Sequence, residues 1–85
     1  MMKSYDIDTL YQKYKSLNKR QRVRLLSRLQ AQGIAIVRIQ PYVYPEAPGI
    51  KHLFFYFEGS REAVPYFLLE SSVWQAVQRE LMEEE

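Results

Sequence analysis

Apolar positions recur at helical spacing through the first third of the chain, and from residue 34 onward the spacing changes to that of strands. Ile7, Leu10, Tyr11, Tyr14 and Leu17 lie on one face of a 3.6-residue period. Asp6 and Asp8 stand at the positive end of that segment and Lys13 and Lys15 at its negative end, as the helix dipole favours. A first helix is therefore expected over 7–17. Asn18 reads as the N-cap of a second helix, and Gln21 occupies the third position of a capping box. That helix is expected over 19–32, ending where Gly33 can adopt the left-handed conformation. Two helices joined by so tight a corner read as a helical hairpin or a helix-turn-helix.

The run IAIVRIQPYVY from Ile34 is β-branched and aromatic. Strict alternation would place Ala35, Val37 and Ile39 on one face and Ile36, Arg38 and Gln40 on the other. Pro41 cannot donate to a ladder, so an edge or a break is expected there. YPEAPG supplies a turn. KHLFFYFEG supplies a second strand, with Leu53, Phe55 and Phe57 on one face and Phe54 and Tyr56 on the other. VPYFLLE permits two readings. A helix begun at Ser60 would carry Pro65 past its first turn, where the ring clashes with a preceding carbonyl. A strand tolerates Pro65 near its start, and the strand is preferred. SVWQ then reads as a capping box with Ser72 as N-cap, and Val73, Trp74, Val77 and Leu81 give a last helix over 72–83 its apolar stripe.

This order predicts one α+β domain over 1–85: two N-terminal helices, an antiparallel β-meander of two or three strands over 34–70, and a C-terminal helix. Helices from one side cover one face of such a sheet. The other face, carrying Phe54 and Tyr56 with Tyr42 and Tyr44, then calls for a homodimer contact or another protein.

Length sharpens that expectation. A chain of 85 residues buries only about 60% of its unfolded surface. It has no cysteine to staple the core, which fits a reducing compartment. No apolar run approaches the roughly 18 residues of a membrane span, and MMKSYDIDTL lacks the apolar centre of a signal peptide. A cytoplasmic location without membrane association is expected.

Net charge is only +2, but residues 1–40 hold nine basic and two acidic residues, and residues 41–85 hold three basic and eight acidic ones. Such asymmetry suggests an anionic partner for the first half, or attraction between the halves within a chain or across a dimer. The second helix concentrates the effect. Val23, Leu25, Leu26 and Leu29 span one side of it. Arg20, Arg24 and Arg28 lie opposite, drifting about 40° per four-residue step. They form a stripe roughly 12 Å long, extended by Lys19, Lys13 and Lys15, with no acidic residue in the helix. Guanidinium groups so spaced suit phosphate oxygens. The alternative is a solvated helix back. Since the three arginines point away from Leu26 and Leu29, removing them is expected to leave folding intact. Arg22 points into the apolar side, and either snorkels past its end or pairs with a carboxylate such as Glu58 or Glu70.

LLSRLQAQGI followed by a hairpin resembles the recognition helix and wing of a winged-helix DNA-binding domain, although one clear helix precedes it. LLSRLQAQGIAIVRI followed by LFFYFEG resembles an ACT domain, the amino-acid-sensing module of metabolic enzymes, without that fold's leading strand or ligand loop. Each likeness covers about half the chain and neither assigns a family.

Signs of catalysis are few. His52 is the only histidine, and Gly33, Gly49 and Gly59 stand alone, so neither a metal site nor a phosphate loop is expected. No cofactor or small-molecule substrate is suggested. Tyr42 and Tyr44 could stack on bases or pack together. The leading expectation is a non-enzymatic accessory or regulatory protein that binds nucleic acid or a nucleoprotein through Lys13, Lys15, Lys19, Arg20, Arg24 and Arg28. The alternative is a protein–protein interaction module, acting as a homodimer or within a larger assembly through Phe54, Tyr56, Tyr42 and Tyr44.

Overall fold

The computed structural model describes residues 4–85; Lys3, counted in the basic half, lies outside them. Two helices, α1 (Ile7–Ser16) and α2 (Lys19–Ala31), precede strands β1 (Ile36–Tyr44), β2 (Ala47–Phe57) and β3 (Val64–Pro65). A 3-10 turn over Tyr66–Leu68 leads into helix α3 (Ser71–Glu83). The strands form one antiparallel sheet in the order β1-β2-β3. This is the α+β arrangement that the sequence pattern predicts.

Local chemistry accounts for the helix ends. Asp6 caps α1 by accepting from the Thr9 N–H at 2.8 Å. Asn18 and Gln21 form the reciprocal capping box, with both bonds at 2.8 Å. At the far end of α2, the Ile34 N–H reaches the Leu29 carbonyl and the Gly33 N–H the Gln30 carbonyl, each at 3.0 Å. That pattern is a Schellman motif, and it requires the left-handed φ of +83° seen at Gly33.

The apolar sides of the helices meet over one face of the sheet. Leu10, Tyr14 and Leu17 from the α1 segment, Leu25 and Leu29 from α2, and Ala76, Val77 and Leu81 from α3 are buried against Ile36, Ile39, Leu53 and Phe55. The buried Gln78 is satisfied by the Tyr5 N–H at 3.0 Å. Among the described residues, no helix is long and apolar enough to cross a membrane.

Four local expectations are corrected. The strict alternation of β1 breaks because Ile36 lies opposite Phe57 while Arg38 lies opposite Tyr56. Val37 is the extra residue of a bulge. The bulge shifts the phase by one, so Ile36 and Ile39 share the buried face while Ala35 and Val37 are exposed. Segment 60–70 is neither a full strand nor a helix: Pro65 ends a two-residue strand that turns at once into the 3-10 segment. The last helix begins one residue before the expected box. Its N-cap is Glu70, without a side-chain cap bond, and the Gln75 amide reaches the Ser71 hydroxyl at 3.4 Å instead of closing on Ser72. Finally, Val23 is exposed rather than part of the apolar side of α2.

Since a Cβ at Gly33 would meet no atom within 4 Å, replacing this glycine tests backbone strain alone. Gly33→Ala is expected to lower stability by about 1 kcal/mol, and Gly33→Asn by less, because Asn tolerates the left-handed region. Equal losses in chemical denaturation would rule out that origin.

Candidate interaction surfaces

The arginine stripe of α2 meets its counter-charge inside the chain. Val77, Leu81 and Glu84 follow one another at helical spacing along α3 and its C-cap, so Glu84 continues the buried stripe and arrives beside α2. Its carboxylate is fully buried. Arg24 donates to Oε1 from Nε at 3.0 Å and from Nη2 at 2.5 Å, and Arg28 donates to Oε2 from Nη1 at 2.6 Å. Arg24 Nη2 also reaches the Glu85 carbonyl at 3.2 Å. The two guanidinium groups remain about half exposed. The Arg24 hydrogen bonds first, then the charges of both arginines, hold the Glu84 carboxyl below its ordinary value against the opposing effect of burial.

The ridge is thus not a continuous free cationic surface, and the expectation that its arginines have no structural role is corrected for Arg24 and Arg28. Further along the same seam, the Gln32 amide donates to Glu80 at 2.8 Å and its carbonyl accepts from Arg79 at 2.9 Å. Attraction between the basic and acidic halves operates within one chain here. Arg20 is exposed, as are Lys15 and Lys19, and Lys13 is half-buried. Among the described residues, these four take part in none of the ion pairs. They stand in the last turn of α1 and the first turn of α2.

Arg22 does not pair with Glu58 or Glu70. Its guanidinium lies 4.4 Å from the centroid of the Tyr14 ring, and its Nη2 donates to the Tyr14 carbonyl at 3.2 Å. It is held by the ring and that carbonyl rather than by a carboxylate, and its Nε is buried without a hydrogen-bond partner among the described residues. Burial raises the Tyr14 hydroxyl above its ordinary value, with Arg22 and Arg38 pulling the other way. That hydroxyl donates to the Ile39 carbonyl at 3.2 Å.

The second surface is the sheet face turned away from the helices. Register places Arg38 opposite Tyr56, Gln40 opposite Phe54 and Tyr42 opposite His52, and these pairs alternate with the buried Ile39 and Phe55 pair. Ring contacts bring Tyr44 onto the same face, 5.2 Å from Tyr42 and 5.4 Å from His52. His52 is the centre of the cluster. It stacks on Phe54 at 5.3 Å and touches Tyr66 and Phe67 at 5.5 and 5.7 Å. Tyr66 continues to Trp74, and Trp74 to Phe55. A chain of rings therefore runs from the core around the β3 side of the sheet to its outer face.

All four aromatic residues assigned to an interface from sequence, Tyr42, Tyr44, Phe54 and Tyr56, lie together on this face. Tyr42 is exposed and the other three are half-buried. Phe67 and Leu68 beside them are 61% and 68% exposed, too open for residues with a core role. The sequence reading missed Phe67, Arg38 and Glu84. For Glu84 a signal existed, since it falls seven residues after Val77 on the apolar stripe. No cluster of metal-ligating side chains occurs among the described residues. The chain matches no family model, no curated protein and no solved structure.

Glu84→Gln is expected to destabilise the fold by about 1–2 kcal/mol. That exceeds the effect of an exposed pair and falls short of a fully buried one. The carboxyl is depressed in the folded state, so its stabilisation is complete above the ordinary glutamate range near about 4.3 and is lost as pH falls through the lower folded value. Asp6, depressed by its bonds to Thr9, adds a slope of the same sign. Denaturation midpoints of wild type and Glu84→Gln should therefore converge only below about pH 4; a constant gap down to strongly acidic pH would exclude this linkage.

Proposed function

We propose that this protein is a non-enzymatic interaction module that docks another protein surface on the outer face of its sheet. The observation that carries this reading is the position of Tyr42, Tyr44, Phe54, Tyr56 and Phe67 on a face that none of the three helices covers. Large apolar side chains gathered on one exposed face are the usual mark of an interface, and interface cores are enriched in aromatic residues and arginine. Edge pairing is the weaker route. Side chains take two carbonyls of the edge strand β1, Ile36 through Gln30 at 2.9 Å and Ile39 through Tyr14, and Pro41 has no N–H to offer. Absence of cysteine supports a reducing compartment such as the cytoplasm.

A second reading, nucleic-acid binding, is favoured by one observation: Lys13, Lys15, Lys19 and Arg20 stand on the helix ends flanking the α1–α2 corner without carboxylate partners among the described residues. It draws on fewer cations than the sequence suggests, since Arg24 and Arg28 already hold Glu84.

One capture experiment separates the two. Tagged wild type, a face variant (Tyr42→Ser with Phe54→Ser) and a corner variant (Lys15→Gln, Lys19→Gln, Arg20→Gln) would be exposed to native lysate with and without nuclease. Interaction through the sheet predicts partners that survive nuclease, are lost by the face variant and are kept by the corner variant. Partners lost with nuclease and with the corner variant would transfer the function to nucleic acid. In that case affinity should fall by about 0.7–0.9 log units per log unit of salt for each phosphate neutralised.

A further inference from the structure

Resting on the reading above, we infer that the partner on the outer sheet face is a second copy of this chain, packed face to face about a two-fold axis that runs its strands antiparallel to the first. Charge placement on the face is the basis. Arg38 stands at one end of the aromatic cluster. It is held 5.2 Å from the Tyr56 ring centroid and donates to the Gln40 side-chain amide oxygen, Oε1, at 2.5 Å. It takes part in no ion pair among the described residues. Glu46 stands at the other end, exposed in the two-residue turn between β1 and β2, and is equally without a cationic partner.

Six strand steps from Arg38 to Tyr44 span about 20 Å at roughly 3.3 Å per residue, and Glu46 lies beyond them in the turn. One chain cannot bring them together. An antiparallel two-fold axis does so twice, setting Arg38 of each copy over Glu46 of the other and closing the rings of Tyr42, Phe54 and Tyr56 between them. The alternative axis, along the strands, would set Arg38 against Arg38 and Glu46 against Glu46. A self-complementary patch of this kind is what an isologous dimer requires.

Area limits the strength. Seven residues of strand and three strand spacings of about 4.8 Å give a footprint of roughly 350 Å². Phe67 and Leu68 widen it, but it remains below the roughly 800 Å² per partner of a standard interface. The dimer is therefore concentration-dependent, forming in the micromolar to submillimolar range.

Sedimentation velocity across that range tests the inference. Wild type is expected to self-associate. Arg38→Glu alone and Glu46→Arg alone are each expected to weaken association at least about tenfold, because each meets a like charge twice. Both positions are solvent-exposed, so folding is expected to persist, as circular dichroism would verify. Mixing the two single variants should restore association, since every cross-contact between them pairs opposite charges. Failure of the mixture to recover overturns the antiparallel arrangement, and a wild-type monomer at submillimolar concentration overturns the second copy altogether. A monomer that still binds an apolar dye, with the signal lost in Tyr42→Ser/Phe54→Ser, would leave the interaction module standing with a different partner. A monomer without dye binding would remove both.

Discussion

Burial of the inner side of β2 is the constraint from which the rest of the molecule follows. Leu53 and Phe55 are inaccessible to solvent, and each such side chain contributes about 1.5–3 kcal/mol when removed from water. All three helices contribute buried side chains to the same cluster as these two. Once committed to that side, the chain has no helix left for the other. The outer face must then be stabilised by its own side chains or by another molecule. The rings around His52 cover one another edge to face and stacked, and what they leave open is the aromatic surface proposed to dock a partner.

Electrostatics sets how the helices close over that core. The seam between α2 and α3 joins a helix without acidic residues to the acidic end of the chain, through Arg24, Arg28 and Glu84 and through Gln32, Glu80 and Arg79. Glu84 is the most consequential of these groups. A carboxylate removed from water is costly unless paired, and here two guanidinium groups supply three hydrogen bonds to it while keeping much of their own surface hydrated. The same contact bears on function. Arginines that would otherwise form a phosphate-spaced ridge are held by the chain's own carboxylate, so the geometry shifts weight from the basic helix to the aromatic sheet face. Among the described strand residues, that face carries only Arg38 as a cation, whereas a stacking platform for single-stranded nucleic acid combines aromatic rings with a basic groove. Its chemistry is closer to that of a protein interface, with aromatic side chains and one arginine.

Much of the fold is legible in the sequence, because its signals are local. The period of Ile7, Leu10, Tyr14 and Leu17, the reciprocal Asn18–Gln21 cap and the stop at Gly33 involve groups within one or two turns of each other, whose geometry is settled by short-range hydrogen bonds and sterics. The alternation of Leu53, Phe55 and Phe57 against Phe54 and Tyr56 was equally plain, and so was the expectation that helices would cover only one of those faces. The gathering of Tyr42, Tyr44, Phe54 and Tyr56 into one surface follows from that alternation once the hairpin register is known.

What only the tertiary structure decided involves partners far apart in sequence or a single residue of phase. The bulge at Val37 brings Ile36, rather than Ala35 and Val37, onto the buried face of Ile39, a change that no local composition marks because it depends on pairing with β2. The third strand is cut to Val64–Pro65 by the way the chain must turn from the sheet into α3. Arg22 finds the Tyr14 ring across the helical corner, and Arg24 meets Glu84 sixty residues away. The amino-acid sequence by itself therefore determined the three helices, the first two strands, the two ends of α2 and the one-sided cover of the sheet, since those depend mainly on neighbours along the chain. The fate of the charges was decided by packing, because an arginine's partner is whichever carboxylate the fold carries to within hydrogen-bonding distance.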